Sequence, residues 1–404
     1  MSGALSRARL ARLDATLSAH VSPTGVSPTG LPGLVALVSR RGDTHVVALG
    51  RQSLESDAPM KRDTIFRIAS MTKPVTAAAA MILVERCRLR LDDPVDAFLP
   101  ELADRRVLNR LGSPLDDTVP ARRPITLRDL LTFTFGLGAI MVWPSRHPIQ
   151  KAMDEAGVAP NPAPPDISAD EYMKRLGALP LAYQPGERWL YHTGSDVLGV
   201  LIARASGQSL ADFMQDNLFS PLGMRDTGFQ VPADKASRMA SNYRTDPADS
   251  TRLTFFDDAR DSRWSRPQPF AAGGSGLVST VDDYLAFQRM LLNGGRHRSE
   301  RILSRPSVAL MTSDQLTPAQ KEGTELFFGR GASWGFGGAV VTRRTDLSTT
   351  PGRYGWDGGY GTSAHLDPAE NMAGILMTTR MMESPQPPPV FTDFWTSAYQ
   401  AIDD

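Results

Sequence analysis

The sequence predicts an α/β protein with an added helical part, in which an antiparallel sheet is flanked by helices and a mostly helical domain is inserted. Three observations predict this fold class. Apolar runs around a turn signal lie near the start of the chain, helical periodicity dominates its middle, and apolar stretches separated by Gly and Pro return in the last quarter. A sheet built from both chain ends accounts for this order. We expect residues 5–95 and 272–404 to form the α/β domain and residues 96–271 to form the helical domain.

The N-terminal elements follow from the spacing of apolar residues. Helical spacing predicts an amphipathic helix over residues 5–20, and the repeated VSPTG of residues 21–30 predicts a loop. Apolar runs on both sides of residues 41–43 predict a β-hairpin. An alanine-rich apolar stretch predicts a long helix that begins at Ser70 and ends near Arg86.

Capping signals and proline content organise the middle of the chain. Thr126, followed three residues later by Asp129, is typical of a helix start closed by a capping box. The stretch 139–185 contains APNPAPPD and predicts an irregular region that borders a pocket, and the stretch 241–272 predicts a second loop.

Helix signals return ahead of the strands of the last quarter. A helix with Ser279 or Thr280 as its N-cap and Gly294 as its stop is expected first. Strand patterns then follow, and a closing helix is expected near residues 391–402.

Composition limits the classes of function. The 404 residues are 41% hydrophobic and 22% charged, and 44 basic residues balance 44 acidic ones, so neither a nucleic-acid partner nor a membrane partner is expected. The single cysteine, Cys87, excludes an intrachain disulfide and a cysteine zinc cluster. The N-terminal stretch lacks the apolar core of a signal peptide, so we expect a cytoplasmic protein without metal or organic cofactor. The oligomeric state stays open.

Ser70 and Lys73 frame an S-x-x-K tetrad at a predicted helix start. Residues three apart on a helix share a face, so the Lys73 amine can reach the Ser70 hydroxyl. A serine hydroxyl becomes a good nucleophile only when a base takes its proton, and a helix N-terminus favours developing negative charge. The tetrad therefore indicates nucleophilic catalysis, although so short a pattern is also compatible with an ordinary N-cap and an exposed lysine.

The surrounding sequence resembles the class C β-lactamase-like superfamily. FRIASMTKPVTAAAAMILVERCRLRLDDPV is similar to its nucleophile segment. Further similar segments follow in order over residues 60–380, namely ITLRDLLTFTFGLG, PGERWLYHTGSDVLGVLIARASG, LFSPLGMRDTGF and GGSGLVSTVDDYLAF. The resemblance implies a fold like that of β-lactamases and penicillin-binding proteins.

Two motifs of that superfamily are altered. The Y-x-N motif reads YHT, with Tyr191 kept and Thr193 in place of Asn. The K-T-G strand motif is replaced by WDGG, so Trp356 stands where a lysine helps to hold a substrate carboxylate. This W-x-G form resembles the family VIII carboxylesterases, which act chiefly on short acyl esters.

The resemblance implies acyl transfer through a covalent ester on Ser70. Either Tyr191 as phenolate or Lys73 as neutral amine takes the serine proton, and the residues alone leave that choice open. The backbone N–H groups of Ser70 and Gly359 are the implied oxyanion hole. The substrate pocket is expected to include the following residues: Trp356, Asp357, Gly358, Phe133, Phe135 and Thr193. Trp143, Phe255 and Phe256 are further candidates for an apolar acyl pocket.

We expect a serine hydrolase that cleaves short- to medium-chain carboxylic esters. The alternatives are a β-lactamase or D-amino-acid peptidase, an acyltransferase to an alcohol acceptor, and a catalytically silent ligand-binding homologue. Ser333 also lies in a G-x-S-x-G pattern, the nucleophile elbow of another hydrolase class. A strand pattern rather than a helix follows Ser333, which argues against that interpretation.

Overall fold

A computed structural model describes residues 4–22, 30–142 and 144–404. Most of the loop expected at residues 21–30 and the side chain of Trp143 lie outside the described residues.

A seven-stranded antiparallel sheet joins the two ends of the chain. The strands of the described chain are β1 (Gly33–Arg40), β2 (Asp43–Gly50), β3 (Phe66–Arg67), β4 (Arg106–Leu108), β5 (Thr118–Pro120), β6 (Asn242–Asp246), β7 (Asp249–Asp257), β8 (Val278–Ser279), β9 (Arg296–His297), β10 (Glu300–Arg301), β11 (Ala332–Trp334), β12 (Ala339–Val341), β13 (Tyr354–Gly358), β14 (Thr362–Asp367) and β15 (Met372–Thr378). The order of strands in the large sheet is β11-β12-β13-β14-β15-β1-β2. The predicted fold class is confirmed.

Helices cover both faces of this sheet and fill the middle of the chain. They are α1 (Arg7–Ser18), α2 (Thr72–Glu85), α3 (Leu127–Leu131), α4 (Pro148–Glu155), α5 (Ala169–Ala178), α6 (Thr193–Ser206), α7 (Leu210–Met214), α8 (Ser220–Leu222), α9 (Val281–Leu292), α10 (Arg305–Met311), α11 (Glu325–Phe328) and α12 (Pro389–Gln400). None of the helices in the described ranges is long and apolar enough to cross a bilayer.

β1 lies in the interior of the sheet and shows how both faces are covered. All eight of its residues are buried. Because successive side chains of a strand point to opposite faces, Val35 and Leu37 pack in the main core with α2, whereas Leu34 and Ala36 pack with α1 and α12. Residues 33–38 of the strand are therefore a continuous apolar run.

The long helix α2 runs through the main core. Its residues 72–83 are all buried. The four consecutive alanines, residues 77–80, have small side chains, which lets neighbouring elements approach the helix closely. Gly337 is one such neighbour, because a Cβ there would lie 2.5 Å from the carbonyl oxygen of Lys73. This packing fixes the position of the first turn of α2, which carries Lys73.

Most predicted elements are present. The first hairpin is β1 and β2, Thr126 and Asp129 form the capping box of α3, and Thr280 caps α9. The long helix begins at Thr72 rather than at Ser70, because a short 3₁₀ turn, Ala69–Met71, precedes it.

Two loop predictions were wrong in part. The stretch 139–185 contains α4, which has Pro148 in its first turn, and α5, which Ser168 caps. The stretch 241–272 contains the hairpin of β6 and β7. Proline and polar residues marked the boundaries of these elements, and the short apolar patterns between the boundaries were missed.

Candidate active site

An open cavity of about 320 Å³ lies where α2, the start of α6 and β13 meet. Its lining includes Ser70, Tyr191, Trp356, Asp357 and Gly359. Ser70 and Gly359 are 289 residues apart in the sequence, and the fold brings them together. The cavity has the size of a small-molecule site.

Ser70 lies on a strained turn at the floor of this cavity. The preceding Ala69 has a φ of +42°, a left-handed conformation that is uncommon for residues other than glycine. The turn is held by hydrogen bonds on both sides: the backbone N–H of Ile68 donates to the carbonyl of Leu277 over 3.0 Å, and the Tyr284 hydroxyl donates to the carbonyl of Met71 over 2.9 Å. Ser70 is 7% exposed, so only a small part of its surface faces the cavity.

Lys73 lies directly behind Ser70 and is fully buried. Its Nζ atom is 2.9 Å from Ser70 Oγ and donates to the carbonyl oxygen of Gly274 over 2.7 Å. Burial lowers the pKa of the Lys73 ammonium to about 7, although Asp196 favours the charged form. A neutral amine is therefore well populated at neutral pH, which suits a general base.

Tyr191 stands on the other side of Ser70, with its ring centroid 4.7 Å from Lys73 Nζ. Its hydroxyl accepts a hydrogen bond from Trp356 Nε1 over 2.6 Å and also hydrogen-bonds to Ser70. Burial raises the pKa of Tyr191 well above its usual value, and these two hydrogen bonds only partly oppose that effect. The geometry therefore favours a neutral phenol.

Two backbone N–H groups at the cavity are available to a ligand. Among the described residues, neither the N–H of Ser70 nor that of Gly359 has a hydrogen-bond acceptor. Both residues line the same cavity. Such a pair of free donors beside a nucleophile matches the requirement of an oxyanion hole.

Gly358 positions the second donor rather than lining the cavity. A Cβ at Gly358 would lie 2.4 Å from the carbonyl oxygen of Ile68 and 2.2 Å from Thr362 Oγ1. β13 can therefore approach the Ser70 turn this closely only with glycine at that position.

The charged side chains of the cavity are acidic. Asp357 and Glu383 line it, and no lysine or arginine does so within the described residues. Burial opposes ionisation of Asp357, but hydrogen bonds to Oδ1 from His365, at 3.1 Å, and Ser363, at 2.6 Å, hold its pKa below the usual value. Asp357 is thus an anion at neutral pH. Glu383 is paired with Arg380 over 2.5 Å.

Besides Gly358, three other expected pocket residues do not line the cavity. Phe133 is buried behind Tyr191, with ring centroids 5.9 Å apart, and Phe135 lies in the main core. Thr193 is fully buried at the start of α6, and its hydroxyl has no hydrogen-bond partner among the residues that the structure describes. The resemblance to family segments placed these residues near the motifs but did not indicate which way each side chain points.

The aromatic candidates Phe255 and Phe256 and the alternative nucleophile Ser333 lie outside the cavity. Phe255 stacks on Tyr243, and Phe256 packs against Tyr360, so neither lines the cavity. Ser333 is buried in β11 and donates to Asp314, and the next element after it is the strand β12 rather than a helix. The G-x-S-x-G pattern therefore lacks the strand–turn–helix form of a nucleophile elbow.

Sequence reasoning missed several parts of the site. His192 is buried, and it contacts Lys73 through Nδ1 at 3.3 Å and Asp196 through Nε2 at 3.1 Å. The spacing of His192 and Asp196, four residues apart at a helix start, was the available signal. The cavity walls also include residues from the proline-rich loop and from a loop before α12: Pro160, Asn161, Pro162, Met382, Ser384, Pro385 and Pro387.

The antiparallel sheet with its flanking helices, together with the contact between Ser70 and Lys73, is typical of β-lactamase-like proteins with a serine–lysine site. The family model described as Beta-lactamase matches residues 14–389, and the chain belongs to that family.

Two relatives and one solved structure are similar to this chain over most of its length. Protein Rv1367c of Mycobacterium tuberculosis is 39% identical over 354 residues, 85% of this chain and 84% of that protein. Esterase EstB of Burkholderia gladioli is 32% identical over 390 residues, 92% of this chain and 91% of that protein. The solved structure of EstCE1, described as a hydrolase with promiscuous acyltransferase activity, is 25% identical with a TM-score of 0.79, and the match covers 97% of this chain and 99% of that one.

Proposed function

We propose that the protein is a carboxylesterase that hydrolyses short- to medium-chain esters through an acyl-enzyme on Ser70. The observation that carries the proposal is the contact of 2.9 Å between Ser70 Oγ and Lys73 Nζ at the floor of a cavity lined by Trp356. The similarity to esterase EstB supports the substrate class, and Trp356 in place of the K-T-G lysine supports a relationship to family VIII.

Acylation begins with the neutral amine of Lys73. The Ser70 O–H proton passes to Lys73 Nζ while Ser70 Oγ bonds to the ester carbonyl carbon. The N–H groups of Ser70 and Gly359 bind the oxyanion. The bond to the alcohol then breaks, the leaving oxygen takes the phenolic proton of Tyr191, and the ammonium of Lys73 returns a proton to Tyr191.

Deacylation repeats these steps with water as the nucleophile. Lys73 takes a proton from water as the water oxygen attacks the acyl carbon, Ser70 Oγ leaves with a proton from Tyr191, and the ammonium of Lys73 then returns a proton to Tyr191. The carboxylic acid is released and the resting site is restored.

The charge of the cavity distinguishes esters from carboxylate-bearing β-lactams. A substrate carboxylate would meet Trp356, which cannot pair with an anion, and the anionic Asp357 beside it. A neutral ester has no such conflict. We therefore expect ester turnover to exceed turnover of nitrocefin, a chromogenic cephalosporin.

The direct test is steady-state hydrolysis of p-nitrophenyl butyrate and nitrocefin in parallel, with Ser70→Ala as the blank. Ester turnover far above nitrocefin turnover, lost in the variant, would support the proposal. Efficient nitrocefin turnover would favour a β-lactamase instead, and no turnover of either substrate would favour the silent binding homologue.

Acyl transfer to an alcohol is a second candidate function. The description of EstCE1 as a hydrolase with promiscuous acyltransferase activity favours it. Formation of a new ester when a simple alcohol is added during hydrolysis of p-nitrophenyl butyrate would support this activity, and release of butyrate alone would exclude it for that acceptor.

A further inference from the structure

A buried histidine–carboxylate pair lies behind the candidate base. Within the described part of the chain, Lys73 Nζ has three hydrogen-bonding neighbours: Ser70 Oγ at 2.9 Å, the carbonyl oxygen of Gly274 at 2.7 Å and Nδ1 of His192 at 3.3 Å. His192 and Asp196 are 5% and 2% exposed. The amine therefore lies among buried polar partners.

Asp196 determines which nitrogen of His192 carries the hydrogen. Its Oδ2 lies 3.1 Å from Nε2 and accepts the hydrogen bond, so Nε2 holds the hydrogen. Its Oδ1 accepts from the backbone N–H of Gly274 over 2.8 Å, which holds the carboxylate in place. Burial and the charge of Lys73 lower the pKa of His192, so the ring is neutral and Nδ1 presents a lone pair.

The donor count at Lys73 then leaves one direction for its lone pair. A neutral primary amine has two N–H groups, and these match the carbonyl of Gly274 and Nδ1 of His192. The lone pair is left facing the Ser70 hydroxyl. After Lys73 takes the serine proton, the third N–H faces Ser70 Oγ, so both protonation states are satisfied without movement of these partners.

The backbone at His192 is strained, which independently indicates that this position is over-determined by its surroundings. Its φ is 83° and its ψ is −68°, and the N–H of Thr193 donates to the carbonyl of Tyr191 over 3.2 Å. This is the rare form of γ-turn. Strained residues other than glycine persist where neighbouring contacts hold them, and they cluster at functional sites.

We propose that His192, oriented by Asp196, is a positioning residue that directs the lone pair of Lys73 at Ser70, and that Asp196 supplies the counter-charge for the ammonium formed. The proposal rests on the proposed role of Ser70 as nucleophile. The other titratable groups that face Asp196 are Tyr172 of α5 and Tyr191, and burial raises the pKa of both, so they stay neutral.

The test measures how fast Ser70 is labelled by a p-nitrophenyl alkylphosphonate as a function of pH. The reaction forms a P–O bond to Ser70, releases p-nitrophenolate and passes the serine proton to Lys73, so it reports on the base without requiring the natural ester. His192→Phe keeps a ring but removes the acceptor, and we expect labelling to slow roughly 10- to 100-fold. His192→Asn keeps an acceptor oxygen near the place of Nδ1, and we expect it to retain most of the rate.

Asp196→Asn provides the second readout. Asp196 raises the pKa of Lys73, so its removal lowers that pKa, and the rise of the labelling rate with pH should move roughly one unit lower. Asp129→Asn is the matched control: Asp129 is also buried, but it pairs with Arg123 over 2.6 Å and is not among the groups that shift the pKa of Lys73. This control should leave the profile in place.

A His192→Phe variant that is labelled as fast as the wild type would overturn the proposal, and so would an unshifted profile in Asp196→Asn. Melting temperatures of all variants separate these effects from loss of folding. If His192→Phe does not fold, the pH profile of Asp196→Asn and the labelling rate of His192→Asn still test the proposal. Absence of labelling in the wild type would contradict the proposed function itself and, with it, this inference.

Discussion

At the residue scale, burial decides which protonation states the site holds. The same removal from water lowers the pKa of Lys73 and raises that of Tyr191, because in each case the charged form is disfavoured. The result is an amine and a phenol that are both neutral beside Ser70. One can accept a proton and the other can donate one, which is the pairing that acyl transfer needs.

The pH dependence of ester hydrolysis follows from this pairing. Lys73 must be neutral to act as the base, so kcat/KM for p-nitrophenyl butyrate should rise with pH around a midpoint near 7 and then level off. The raised pKa of Tyr191 keeps the phenol protonated over that range. A rate that continues to rise into the range where tyrosine ionises, without a plateau, would identify Tyr191 as the base instead.

Substitution of Asp357 tests the charge selectivity of the cavity. Asp357→Asn removes the anion beside Trp356, so the ratio of kcat/KM for nitrocefin, which carries a carboxylate, to that for p-nitrophenyl butyrate should rise roughly 2- to 5-fold, since partly exposed charges interact by at most about 1 kcal/mol. Glu383→Gln is the control, because the charge of Glu383 is already paired with Arg380. An unchanged ratio in Asp357→Asn would show that Asp357 does not select substrates.

Sequence patterns placed some residues of the cavity better than others. Ser70, Tyr191, Trp356, Asp357 and Gly359 occur in segments of motif form, and the fold brings them to one cavity. The contact of His192 with Lys73 depends on a γ-turn, and no local sequence pattern predicts this turn. The burial of Phe133 and Thr193 depends in turn on the direction of each side chain, which the spacing of a motif does not specify.

At the element scale, the closeness of β13 to the Ser70 turn sets the distance between nucleophile and oxyanion donors. Gly358 allows this closeness, because a Cβ there would meet the Ile68 carbonyl, whereas a Cβ at Gly359 would lie 3.8 Å from the nearest atoms of Pro162. The two neighbouring glycines therefore have different roles, one in packing and one at the cavity.

This difference can be measured with two alanine variants. Gly358→Ala should push the strand away from the turn and lower kcat/KM by about 100-fold or more, as small misplacements of reacting groups do. Gly359→Ala should fold normally and lose less activity, because its Cβ meets only ordinary contacts. Comparable activity of Gly358→Ala and the wild type would contradict the packing argument; melting temperatures would report any general loss of stability.

Elements with strong local signals were predicted correctly, and weaker ones were not. α3 has a complete capping box, and α9 has Thr280 as its cap and an apolar stripe, so the start of each helix can be predicted from local sequence. The helix α4 and the hairpin of β6 and β7 lie among prolines, acidic residues and arginines, which are residue types common in loops. In a short window of sequence, these residues outweigh the short apolar patterns between them.

At the scale of the whole molecule, the central sheet depends on both ends of the chain. β1 pairs with β15 along seven residue pairs, and α1 packs against α12 over the outer face. The order of patterns along the chain predicted this sheet. The domain boundaries at residues 95, 96, 271 and 272 stay a prediction.

The outer layer should make a large contribution to stability. Phe394 of α12 is completely buried, so Phe394→Ala should lower the free energy of unfolding by about 3–5 kcal/mol. Thr396→Ala, on the exposed face of the same helix, should change it by less than about 0.5 kcal/mol. Urea unfolding of both variants measures the difference, and equal losses would contradict a folding role for this layer.

The central claim is that Ser70 carries the acyl group during ester hydrolysis. The most direct measurement is mass spectrometry of the protein quenched in acid during turnover of p-nitrophenyl butyrate, followed by peptide mapping. The account predicts one butyryl group per chain, located on Ser70 and absent from Ser70→Ala. A butyryl group on another residue, or rapid turnover by the Ser70→Ala variant, would contradict it.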